Sequence, residues 1–376
     1  MTLPSPDVPD VSAEQAVSFR VAAHGLDRRR RPLAVRTAVP DYPKGAALRA
    51  LAARFVDVGP DTLTEGTLLR ALSLRGTTHA FAAADAAVYT LGVLPTPDDE
   101  SAAQAALGSS WPVVGSLGVS AVDALARVTA EVSDVMADGH ARSRGAVSET
   151  LHGRLPQGWE PWCERCGAHH VPDLPFRLAL VAAALHFPTD GPELAAGPRP
   201  DVAGHAEARA ELVRRFLGAY APASARAFGE WAGLGPAEAD ASFAALGDEI
   251  VAVRLDRRSA MALAVDRERL HEPVAVVGVR LVPAGDPFLH QRDRATLLPD
   301  PDHRRQLWRP AGAPGLVLID GTPSGVWRHK QAKSHVAVTA DLWTAAPNAR
   351  LTSALTTEAA ATLSTTPDEV EIHVNP

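Results

Sequence analysis

Lysine is nearly missing from this sequence. Lys44, Lys330 and Lys333 are the only lysines among 37 basic residues, so arginine supplies almost all of the positive charge. A GC-rich coding bias makes the same swap and also enriches alanine and proline. Arginine also suits the geometry of phosphate. Cysteine is just as scarce. Cys163 and Cys166 are the only two, in one Cys-x-x-Cys, which excludes a disulfide framework and fits a reducing compartment. Aromatic residues make up 5% of the chain, which leaves the core to alanine, leucine and valine. Long apolar runs are missing too. The most apolar stretch, "PFRLALVAAALHF" at 175–187, carries Arg177 and is too short to span a bilayer. The start, "MTLPSPDVPDVSAEQ", has no basic segment leading into an apolar one, so no secretory signal is expected. A cytoplasmic protein with no membrane partner follows as the expectation. The sequence sets no oligomeric state.

The 376 residues are enough for two or three domains, and 46% hydrophobic with 22% charged residues is the balance of a globular chain. A net charge of −7 argues against a protein coated in positive charge. The distribution says more. Residues 17–80 hold 11 basic against 5 acidic side chains, and residues 276–335 hold 9 against 5. Two basic blocks on an acidic body point to a focused anion-binding surface.

Residues 1–11 are rich in proline and aspartate and are expected to be disordered. Ser12 with Gln15 forms a capping-box pattern that opens a helix over 13–25. "GAALRALAARF" reads as a helix, and "GPDTLTEGTLLRALSL" as a turn and a second short helix. "LRGTTHAFA" alternates as a strand does. This order predicts a first winged-helix-like domain over 12–95. Residues 96–190 read as a second, mostly helical, winged-helix-like domain that includes the Cys-x-x-Cys segment. A Pro/Gly/Asp-rich linker occupies 188–204. "AEARAELVRRFLGAY" puts Leu212, Val213, Phe216, Leu217 and Tyr220 on one helical stripe. Two further helices and the hairpin around "LDRRS" complete a third winged helix over 205–272. Residues 273–376 alternate as strands and predict a β-rich, barrel-like module. The fold class expected is therefore α+β, with winged helix-turn-helix domains and a C-terminal β module.

Three stretches carry a resemblance: "LRGTTHAF" at 74–81, "LVPAGDPFLHQRDRATLLPDPDHRRQLWRP" at 281–310, and "GLVLIDGTPSGVWR" at 315–328. In this order, with a winged helix between the first two, they resemble the winged-helix DNA glycosylases of the AlkZ/YcaQ type, over roughly 12–345. The resemblance implies tandem winged helices around a concave DNA surface. It implies double-stranded DNA, alkylated or crosslinked, as the partner, and release of alkylated bases as the activity. Family members with glycosylase chemistry carry a Gln-x-Gln motif whose glutamines hold the attacking water and steady the sugar cation. Alignment on Asp41, Pro43 and Gly45 puts Ala38 and Pro40 at those two positions. Neither side chain can hydrogen-bond water, and Pro40 also lacks an N–H. Three readings stay open: a DNA-binding protein that does not cleave, a monofunctional glycosylase with a rearranged turn, and a DNA-binding regulator that responds to a ligand.

The candidate residues follow. Asp41 can stabilise an oxocarbenium-like sugar or activate water, or it can cap the helix near Gly45. His79 can orient DNA or water, or it can be a satisfied core histidine. Tyr42 can stack on an extruded base or pack half-buried. Arg36, Lys44, Arg75, Arg257, Arg258, Arg292, Arg294 and Arg328 are candidate DNA contacts. Asp293 either fixes the forks of Arg292 and Arg294 or joins an ion-pair network docking the β module. Cys163, Cys166, His169 and His170 offer zinc ligands within eight residues. No cofactor is required, and zinc is the one candidate.

Overall fold

The computed structural model describes residues 8–28, 37–55, 68–197, 204–272, 275–344 and 346–376. The chain divides into two compact units: residues 1–62, 214–227 and 246–376 form the first, and 63–213 with 228–245 the second. The boundaries fall inside the helices His205–Tyr220 and Ala225–Ala232.

The first unit is built on a five-stranded sheet in the order Val279–Val282, Gly315–Ile319, Thr322–Gln331, Val336–Leu342, Val370–Asn375. Its first four strands are antiparallel, and the last joins in parallel through the helix Ala349–Leu363. Successive strand residues point to opposite faces. Leu281, Val317, Trp327 and Val338 pack on Leu355 and Ala359 of that helix. Val282, Leu316, Leu318 and Val326 face a second core with Val21, Leu26, Phe288 and Leu307. The barrel-like module expected here is therefore corrected to an open sheet. Alternating strands allow either form, but covering both faces leaves the two outer strands as edges, with no need for closure.

The same unit holds the hairpin Ile250–Leu255 and Arg258–Leu263. Asp256 and Arg257 turn it with φ of 47° and 68°, the left-handed pair that a two-residue hairpin needs. Asp10–Val11 adds a third strand, parallel to Arg254–Leu255. Part of the segment expected to be disordered is thus ordered, because the Asp10 carboxylate takes Arg254 in a fork of 2.8 and 3.1 Å. The capping box is present at Ser12 and Gln15, opening the helix Ala13–Ala23.

The second unit has strands in the order Thr78–Ala82, Leu68–Leu72, Leu185–His186, Glu193–Ala196, Arg142–Ser143. Its helices include Ala121–Val135 and Asp173–Ala182, which share a core of Leu107, Ala121, Ala124 and Leu178. Two expectations change here. Leu68–Leu72 is a strand where a short helix was expected, and Glu193–Ala196 is a strand inside the expected linker. Leucine and alanine favour a helix only weakly, and tertiary pairing overrides them. The Arg70 guanidinium reaches the carbonyls of Thr189 and Gly191 at 3.1 and 3.0 Å, which holds this strand next to that segment. The hairpin Ile250–Leu263 forms where the pattern puts it. Among the described residues no helix is long and apolar enough to cross a membrane.

Candidate nucleic-acid interface and catalytic turn

In the first unit the turn opens with buried Val39–Pro40 and leads into the helix Ala46–Ala52. Ala38 and Pro40, at the glutamine positions, are buried. Asp41 is 5% exposed. Its Oδ1 accepts hydrogen bonds from the backbone N–H of Gly45 at 2.9 Å and of Ala47 at 3.2 Å. Asp41 therefore does the capping work, holding donors that a helix start leaves without partners. Tyr42 is 79% exposed, which overturns half-buried packing for its ring. Lys44 is exposed beside it. Arg36 lies outside the described residues.

Two residues near the turn were not singled out from the sequence. The Arg49 guanidinium lies against Gly45, where a Cβ would come within 3.3 Å of Nη1. Burial lowers its pKa and the Asp41 carboxylate raises it in part. The His329 imidazole is held below its ordinary value, first by burial and then by Arg49. His329 stands next to Arg328 on its strand, so it was within reach of a charge reading. Arg49 sits eight residues past Asp41, on the helix that the turn starts.

The "RDR" block splits. The Asp293 carboxylate forks onto fully buried Arg20, at 3.0 and 2.8 Å. Arg20 also donates to Gln291 Oε1 at 2.7 Å and to the carbonyls of Ala221 and Pro222. Of the two roles weighed for Asp293, the ion-pair network is the one seen, through Arg20. Arg294 lies over the Trp308 ring at 4.9 Å. Arg292, Arg294, Arg304, Arg305 and Trp308 line an open groove of about 520 Å³. Asp293 reaches this groove with its charge already matched to Arg20, so the lining stays cationic. Arg257 and Arg258 are exposed at the hairpin, with Arg258 Nη2 at 3.3 Å from Thr296 Oγ1. Arg328 is half-buried and 3.5 Å from Asp341, so its charge is partly matched.

The remaining candidates belong to the second unit. Arg75 is exposed on a tight turn with φ of 54°. Its stem runs over Gly233, where a Cβ would meet Arg75 Cγ at 2.7 Å, and Arg177 lies as closely over Gly76. His79 is 1% exposed, and Nδ1 lies 2.9 Å from the Thr77 carbonyl. Burial pushes its pKa down to about 4, so the ring is neutral near pH 7.

In the same unit Trp162–Cys163 and Ala168–His169 form a two-stranded hairpin. Ligand atoms of Cys163, Cys166 and His170 lie within 4.8 Å of one another. His169 is not in this group, because its Nδ1 faces the Glu160 carbonyl at 2.9 Å and its ring meets Trp162. The four-ligand expectation is corrected to three. The Cys163 thiol is held down to about 7, first by the Cys166 backbone N–H.

Comparison with known proteins adds context to this geometry. Residues 38–364 match the family described as DNA glycosylase AlkZ-like. The chain is similar to an interstrand DNA cross-link repair glycosylase of Streptomyces sahachiroi, 27% identical over 281 residues, which is 69% of this chain and 70% of that one. Its fold is similar to the solved structure of the Streptomyces sahachiroi DNA glycosylase AlkZ, with a TM-score of 0.73 and 21% identity over 97% of this chain and all of that one.

Proposed function

The chain belongs to the AlkZ-like family of DNA glycosylases, and on that footing we propose that it binds duplex DNA, alkylated or crosslinked, mainly through phosphates, and does not perform the glutamine-dependent excision of its relatives. One observation carries this reading. The turn that would hold the attacking water offers Ala38 and Pro40, and the Oδ1 atom of its one carboxylate is committed to two backbone donors. In the first unit the binding contacts are the cationic groove of Arg292 and Arg294, with Arg257 and Arg258 on the hairpin, Arg328 and Lys44; Arg75 is a separate contact of the second unit. Arginine forks suit phosphate oxygens, and such contacts fix position without reading sequence. The hairpin Ile250–Leu263 serves as a wing that touches the backbone. The recognition helix Pro236–Ala244 carries Glu238 and Asp240 and no cation, so base reading in the major groove is not its role.

A second reading has its own support. Tyr42 stands exposed next to Asp41, where a ring can stack on an unpaired base. On this reading Asp41 stabilises the sugar cation and the protein releases alkylated bases. A ligand-responsive role is favoured by an apolar pocket of about 340 Å³ in the second unit, lined by Leu94, Val122, Leu125 and Leu178.

Base release from duplex DNA carrying 7-methylguanine, with protein in excess, separates these readings. Binding without release is the expected result. Release that vanishes in Asp41→Asn, with binding retained, would replace it with the second reading.

A further inference from the structure

We propose that Cys163, Cys166 and His170 hold a zinc ion at the tip of the hairpin in the second unit. The backbone is shaped for it. The Cys163 carbonyl accepts from the N–H of Cys166 at 3.2 Å and of Gly167 at 2.8 Å. Gly167 then takes a φ of 61° and turns the chain back into the second strand. This turn brings the second sulfur beside the first, with the ligand atoms within 4.8 Å of one another.

His170 supplies the independent observation. Its Nδ1 lies 2.7 Å from the Val171 carbonyl, which can only accept, so Nδ1 carries the proton. Nε2 is left with its lone pair. That atom is buried and meets no hydrogen-bond partner, and a ring nitrogen of His170 lies within 4.8 Å of both sulfurs. A metal-binding histidine fixed by a carbonyl at its other nitrogen has this same arrangement.

The donor set selects the metal. Two thiolates and an imidazole suit zinc, while magnesium and calcium want oxygen. Two thiolates also balance the charge of the ion. Among the described residues no further His, Cys, Asp or Glu joins the cluster. Water takes the fourth position, on the side where Cys166 is exposed. The hairpin has reason to need a staple. Only two residue pairs hold its strands, and a short hairpin alone is marginal in water.

The proposal is tested on untagged full-length protein. Stoichiometric zinc after purification in reducing buffer is the expected result. The zinc-stripped, reduced chain titrated with cobalt should give the visible absorption of a tetrahedral site with thiolate ligands. Cys163→Ser and Cys166→Ser should abolish that band, and His170→Ala should weaken cobalt binding by about tenfold or more, while His169→Ala leaves it unchanged. Two free thiols by titration with no tetrahedral band would overturn the site, and this readout needs no variant. Loss of the band in His169→Ala with retention in His170→Ala would overturn the ligand set. Neither result depends on whether the protein binds DNA.

Discussion

Asp293→Ala separates bracing from binding within a single block. Arg20 is fully buried, and Asp293 turns both of its carboxylate oxygens to it. Removing the carboxylate leaves a buried cation with Gln291 and two carbonyls as its remaining acceptors. Breaking a buried pair in this way costs about 3–5 kcal/mol. The Asp293 side chain is 23% exposed, so water can reach it and the low end, about 3 kcal/mol, applies. For a unit of roughly 200 residues, about 2–4 °C of melting temperature goes with each kcal/mol, which puts the expected loss at about 6–12 °C. Thermal unfolding followed by circular dichroism and calorimetry reads it. Asp293→Asn keeps an acceptor and loses the charge, so it should fall between the variant and the parent. Replacing Arg20 and Asp293 together by apolar residues should recover much of the loss, because no lone charge remains. A melting temperature for Asp293→Ala within about 2 °C of the parent would refute the bracing role.

Arg292→Ala with Arg294→Ala should leave the melting temperature nearly unchanged. The pair should weaken duplex binding and lower the slope of log affinity against log salt by about 2, one for each lost phosphate contact; an unchanged slope in fluorescence anisotropy would remove both from the interface. His79 binds its proton more weakly folded, at about 4, than unfolded, at about 6.5. Its contribution to stability is therefore complete above pH 6.5 and is lost as pH falls from there toward 4, by up to about 3 kcal/mol. In His79→Gln that part of the acid dependence should disappear, and equal slopes in urea unfolding between pH 4 and 6.5 would contradict it. Asp41→Ala should cost about 0.5–2 kcal/mol through the lost cap, while Asp41→Asn, still an acceptor, should cost much less. Equal losses in the two would show that charge, not capping, is what the turn uses.

Periodicity made most of the elements legible. The capping box, the stripe on His205–Tyr220 and the alternation of the last five strands are local signals, and each forms where the pattern puts it. What failed was set by distant contacts. Nothing within Leu68–Leu72 says strand; Arg70 reaching the 189–191 carbonyls does. Alternation predicts a strand but not closure, so the open sheet could not be told from a barrel. The candidate site was legible in the same uneven way. Its turn was visible as missing glutamines beside a lone carboxylate, while Arg49 and His329 come near it only through the fold.

The arginine clusters explain why charge alone misleads. The basic block at 17–80 suggested a surface, yet several of its arginines point inward. Arg54 is fully buried and serves both oxygens of Asp286 and the carbonyls of His24 and Ala50. Arg20 spreads over five bonds to four residues, and Arg28 joins the Ala53 carbonyl to Glu358. A guanidinium can satisfy several acceptors at once because its five N–H groups are splayed in a plane, which an ammonium cannot copy. Part of the first basic block is thus internal framing, built from the same residue type that the surface uses. The second block divides the same way. Arg280 donates inward to the Leu26 carbonyl, while Arg292 and Arg294 line the groove. On the proposed reading, phosphate binding rests less on the count of arginines than on how their carboxylate neighbours are engaged. Asp293 is such a neighbour, its carboxylate forked onto Arg20 in the same stretch whose Arg292 and Arg294 line the groove.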